Sequence, residues 1–143
     1  MQLKTIFSKW TQIAGLLLIG GAIAWTIKLS VIIATNGQVI DTGAAALFMK
    51  VGLLMLGIGS TGIGYRLSLH RSLLLRTAAI MLSPVVMFAT FLLFAKLISP
   101  LLSTVLNSSD VWYAQQEAPI VLAVVFYLSI GYLLFRSYKP VSQ

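Results

Sequence analysis

Residues 13–35 read IAGLLLIGGAIAWTIKLSVIIAT, a run in which Lys28 is the single ionisable side chain. As a helix at 1.5 Å per residue, such a run rises about 35 Å, enough to cross a hydrocarbon layer of about 30 Å. Three further apolar runs follow at 44–65, 77–98 and 119–135. The last is short, so it either tilts little or borrows residues beyond Tyr113. Backbone polar groups cannot be left unpaired in lipid, so the runs must be helices or a closed barrel. Their unbroken apolarity excludes a barrel, whose strands alternate over about ten residues. The expected fold is an all-α integral membrane protein, a four-helix transmembrane bundle forming one polytopic domain over residues 1–143.

Composition points the same way. The 143 residues are 59% hydrophobic and 9% charged, with a mean hydropathy of +0.97. Soluble domains carry about a quarter charged residues. The lipid bilayer is therefore this chain's first partner.

Charge then sets the orientation. Lys4, Lys9, Arg66, Arg71, Arg76, Arg136 and Lys139 fall at the two termini and in the connector between the second and third runs. They account for the whole formal charge of +7, because Lys28, Lys50 and Lys96 balance Asp41, Asp110 and Glu117. Short basic loops favour the cytoplasm, so both termini and the 66–76 connector are expected there, in a bacterial-type inner or plasma membrane. Trp10, Tyr65 and Tyr138 fall near the inner interface and Trp112 with Tyr113 near the outer one, where amphipathic rings prefer to sit. So one-sided a bias argues against dual topology. Lys4, Lys9, an apolar stretch and Ala22-Ile23-Ala24 imitate a cleavable signal peptide. The apolar stretch runs on to Thr35, which favours a retained first helix. Cysteine is absent, which removes disulfide and thiolate chemistry from consideration.

The connector at 36–43, with Asn36, Gly37 and Gly43 at turn positions, is short enough to make the first two helices a hairpin. Segment 99–118 is the longest piece between runs. Pro100 is well placed to begin a new helix, and Leu101, Leu102, Val105 and Leu106 recur at helical spacing. These features predict a short outer interfacial helix between spans three and four, then a polar turn at 107–110. Asn107-Ser108-Ser109 also matches a glycosylation acceptor, with meaning only in a secretory host.

The second run carries the helix-packing signal. At about 100° per residue Gly57, Thr61 and Gly64 share a face with Lys50, while Gly52 and Gly59 lie opposite. Small residues let helices approach closely in lipid, so two small faces predict two neighbours. Gly21, Ala24 and Lys28 form a matching face on the first run. Internal packing is the plainer reading, and an oligomer or partner contact the sharper one.

Lys28 and Lys50 are costly inside a span. Each lies about 10 Å from the outer end of its helix, at a depth that strains snorkelling. Three accounts compete. In the first, the lysines reach lipid headgroups or pair with Asp41, Asp110 or Glu117. In the second, they line an outward-facing vestibule, with Lys96 near its rim, that attracts an anionic solute or an acidic headgroup. In the third, they meet a carboxylate in a span of another protein. Glu117, just before Ala118-Pro119, also suits a helix N-terminus. Pro84 is expected to kink the third span or be absorbed locally, and Tyr127 and Ser129 to bond backbone carbonyls.

Catalysis finds little support. His70 is the single histidine and lies in a basic connector, so neither a bis-histidine haem nor a multi-histidine metal site can be built. The Gly-x-Ser-x-Gly pattern fails at Ser60 because position 58 is Ile58. A serine–lysine dyad from Ser60 and Lys50 is conceivable, but ten residues of helix separate them by about 15 Å along the axis. No cofactor, metal or nucleic-acid partner is expected. The leading expectation is a non-catalytic membrane protein acting through helix association, as a homo-oligomer or as a subunit of a larger complex. The alternative is a small channel or transporter for an anionic solute, using Lys28 and Lys50.

Overall fold

A computed structural model describes residues 9–38, 42–106 and 114–137. They form four helices: α1 Trp10–Ala34, α2 Gly43–Leu67, α3 Leu73–Leu106 and α4 Ala114–Arg136. All four are long and apolar enough to cross a membrane. Asp41, Asp110, the turn at 107–110 and the Trp112-Tyr113 pair lie outside the described residues.

α1 and α2 form the expected hairpin. Asn36 and Gly37 take positive φ values of 52° and 80°, and the Gly37 amide returns to the Ile32 carbonyl at 2.9 Å. That closes the C-terminal carbonyls of α1 before the chain turns into α2.

α1 is the central helix. It packs extensively against α2 and α4, whereas α3 leans on α2 and touches α4 only lightly. Burial follows suit, at 39% of the apolar window of α1 against 17% of that of α3. The close approaches are made by residues without a side chain. A Cβ on Gly15 would stand 2.7 Å from the Phe135 amide nitrogen and 2.9 Å from the Gly131 carbonyl. One on Gly131 would stand 2.8 Å from the Leu18 Cβ. Against α2, Gly59 lies under Leu18, with room for a Cβ only 2.9 Å from its Cγ. In lipid these approaches are what hold helices together, because burying apolar surface gains nothing over contact with acyl chains.

α2 and α3 are joined differently. The Ser83 hydroxyl donates to the Ser60 carbonyl and accepts from the Gly64 amide at 3.1 Å. Those are two groups that a helical ladder pairs with each other. Gly64 has no Cβ, and one would collide with the Ala79 carbonyl. Next to this junction Pro84 sits within α3.

α3 departs from the expected boundary. Residues 101–106, read above as a separate interfacial helix, continue α3 through Pro100. A proline removes one ladder donor, whereas ending a helix leaves four carbonyls without partners. The hydroxyls beyond it bond back to carbonyls of the same helix, Ser103 donating to the Pro100 carbonyl at 2.9 Å and Thr104 to that of Leu101 at 2.7 Å. With 34 residues, α3 is about 51 Å long and must tilt or project beyond the bilayer. α4 begins at Ala114 instead of 119, which places Pro119 in its second turn and gives the short fourth run its missing length.

Two arginines of the connector, Arg66 and Arg76, close helix ends. Arg76 donates to the Leu69 carbonyl at 2.6 Å and to that of Ser68 at 3.4 Å. Arg66 donates to the Ser137 carbonyl at the end of α4, at 2.6 Å. Both arginines place positive charge on C-terminal carbonyls, where the helix dipole favours it.

Glycines of opposite surroundings give a signed prediction. Gly131→Ala should lower stability by about 1–3 kcal/mol, as overpacking does. Gly57 has nothing within 4 Å of its missing Cβ, so Gly57→Ala should be neutral or stabilise by up to about 1 kcal/mol. Thermal denaturation in one detergent measures both.

Candidate functional site

Of the six charged residues that the sequence singles out, two are brought together. Lys28 Nζ lies 3.7 Å from Glu117 Oε2, with side chains 4% and 8% exposed. Lys28 sits six residues before the end of α1, and Glu117 lies in the first turn of α4. The two helices run antiparallel, which puts the C-terminal part of one beside the N-terminus of the other. Lys50 and Lys96 are exposed and form no ion pair among the described residues. Asp41 and Asp110 lie outside them.

The surroundings of Lys28 follow from the glycine face. Gly52 leaves the space that the Trp25 ring occupies, since a Cβ there would collide with the indole. The Trp25 indole N–H then reaches the Met49 carbonyl at 3.2 Å. One turn further along α1, the Lys28 ammonium contacts the Met49 sulfur at 3.9 Å. A thioether is a weak acceptor, so the carboxylate is the ammonium's main partner. At 3.7 Å the pair is longer than a charge-assisted hydrogen bond, which closes to about 2.8 Å. Glu117 Oε2 is buried and without a hydrogen-bond partner among the described residues.

Magnitudes decide what such a pair contributes. At an effective dielectric of about 20, two unit charges this far apart attract by roughly 4 kcal/mol. Desolvation costs several kcal/mol for each ion. The net gain is small, and the positive end of the α4 dipole adds only up to about 1 kcal/mol. The pair therefore specifies more than it stabilises. Gly15 and Lys28 are about 20 Å apart on α1, and Gly131 and Glu117 about 21 Å apart on α4. A slip of one turn would break the glycine contact and the ion pair together.

The packing residues separate into distinct environments. Gly52 and Gly59 face α1, Gly64 faces α3, and Gly57 borders an apolar cavity of about 200 Å³ that Trp25, Phe91 and Tyr127 also line. The Thr61 hydroxyl accepts the Trp10 indole N–H at 3.2 Å and donates to the Ile58 carbonyl. Comparison of the chain with protein-family models, with curated proteins and with solved structures finds no match. The residues themselves carry the functional argument.

Three contacts escape a reading of the sequence: the Ser83 junction, the Trp25–Met49 bond and the Gly15–Gly131 approach. The first had a signal in a serine directly before an intramembrane proline, and the third in two isolated glycines. The second had none, because an indole reaching a backbone carbonyl leaves no mark at the acceptor.

Removing one partner of a buried pair leaves an uncompensated charge. Lys28→Met should therefore cost about 3–5 kcal/mol, and Lys28→Met with Glu117→Leu should recover most of it. A double-mutant cycle on melting in detergent measures the coupling; additive effects would deny that the two residues act as a pair.

Proposed function

We propose that the chain is a non-catalytic, membrane-embedded subunit that works through lateral helix association, with copies of itself or within a larger membrane complex. Both termini lie on the cytoplasmic side of a bacterial-type inner or plasma membrane. The orientation rests on Lys9, Arg66, Arg71, Arg76 and Arg136, which share one end of the bundle and favour the cytoplasm.

The observation that carries the reading is the unequal covering of the helices. α1 is the most buried of the four, at 39% of its apolar window against 17% for α3, and α3, the longest helix, has Ser83, Met87 and Phe91 as its buried side chains among the described residues. It meets α4 chiefly through rings, with Phe91 5.7 Å from Phe126 and 6.1 Å from Tyr127, and Phe94 5.5 Å from Phe126. Nearer the basic end, Met87 and Ile63 face Ile130 and Leu134 across an apolar opening of about 390 Å³. A helix with so little contact inside its own chain offers its flank to a helix of another.

Anion conduction has less support from the same geometry. The Lys28 ammonium meets Glu117, and Lys50 and Lys96 do not join it. The polar side chains within the spans are largely used on neighbouring carbonyls, Ser129 and Thr90 among them. The cavity beside Trp25 is lined by apolar and aromatic side chains.

Gentle extraction from the native membrane should give a particle heavier than one 15.5 kDa chain. Ala89→Trp, on the exposed flank of α3, should dissociate that particle while leaving the melting of the chain unchanged. A strictly monomeric wild-type particle without a partner would overturn the reading. So would anion flux into liposomes that Lys28→Gln abolishes.

A further inference from the structure

At the basic end, the start of α1, the last turns of α2 and the first turns of α3 enclose a groove of about 580 Å³. Its lining is largely apolar, with Ile58, Leu73 and Ile80, and also includes Trp10, Tyr65 and Arg76. We propose that this groove binds one anionic phospholipid of the adjoining leaflet, with its phosphate on Arg76 and an acyl chain along Ile58 and Ile80.

Size, charge and preorganisation support the assignment. The volume falls within the range of about 300–1,000 Å³ typical of small-ligand sites. Arg76 is half-buried and fixed by the Leu69 and Ser68 carbonyls through Nη2 and Nε. Nη1 has no partner among the described residues, so one edge of a preset guanidinium remains for an anion, and phosphate suits that fork. Lys9 and Arg71 stand exposed at the same end. The sequence places Asp41, Asp110 and Glu117 at the opposite end of the helices, so no Asp or Glu side chain competes at this end. Basic pockets between transmembrane helices are suited to anionic headgroups.

The apolar wall distinguishes the occupant from a soluble anion, which would leave it bare. The indole of Trp10, tied to Thr61 at 3.2 Å, lines the groove and is placed to report on a chain lying in it. This site depends on the four helices crossing a membrane and not on the lateral assembly proposed above.

The chain has three tryptophans, so Trp25→Phe with Trp112→Phe leaves Trp10 as the sole emitter. The protein is reconstituted in phosphatidylcholine vesicles containing phosphatidylglycerol, with brominated acyl chains on one lipid or the other. Brominated phosphatidylglycerol should quench Trp10 as though enriched about fivefold over the bulk, the gain expected of one basic side chain. Arg76→Gln should abolish the preference. Because the readout is a ratio between headgroups, an effect of Arg76 on the α2 terminus alone would not move it. Thr77→Phe, which fills the groove from an exposed position, should reduce quenching by both lipids. Excess inorganic phosphate should leave the quenching unchanged.

Equal quenching by the two lipids, or a preference that survives Arg76→Gln, overturns the proposal. Displacement of the lipid by phosphate also overturns it in favour of a soluble-anion site. Should the tryptophan variant fail to fold, native mass spectrometry of the unsubstituted chain decides. One phosphatidylglycerol should remain bound after phosphatidylcholine is stripped, and Arg76→Gln should lose it; identical release of the two lipids overturns the assignment.

Discussion

Close approach of backbones around α1 is the constraint on which the rest of this bundle depends. In lipid, apolar side chains find equally apolar surroundings whether or not helices associate, so cohesion comes from dispersion at short range and from polar contacts. Gly15, Gly59 and Gly131 supply the short range. They let α2 and α4 settle against one helix from two sides, and every later feature is positioned by that settlement. The tryptophan that enters the space left at Gly52 is one such feature. The lysine one turn beyond it is another.

Polar contacts then reinforce the register that the glycine approaches set. A slip of one turn breaks those approaches, and a hydrogen bond or an ion pair is lost outright. The Ser83 hydroxyl supplies such a lock between α2 and α3, and Lys28 with Glu117 supplies one between α1 and α4. The costs differ. The serine loses little solvation, while the charged pair loses a great deal, which is why its attraction does not translate into comparable stability.

The four helices were legible because length and apolarity are properties of single segments. Helix ends were less so: Pro100 reads locally as a start, yet the strong demand for internal backbone pairing carries α3 through it to Leu106. The site was half legible. Intramembrane lysines are costly enough to mark Lys28, and Glu117 stood among its named partners. Lys50 carries the same local signal as Lys28 but is exposed, because its helix turns that face away from the bundle. Which of two similar residues is buried depends on helix rotation, a tertiary property that one segment does not encode. The Gly57 position makes the same point, since its phase on α2 matched that of Gly64 but the space beside it is open.

Pairing Lys28 with Glu117 has an electrical consequence as well. A transmembrane voltage acts on a buried unit charge with about 2.3 kcal/mol per 100 mV when that charge crosses the whole field. A lone Lys28 would make α1 responsive to that force. Joined to a carboxylate 3.7 Å away, it presents the field with a short dipole and no net charge. The interior of the bundle can therefore sit in an energised membrane without being pulled toward either face.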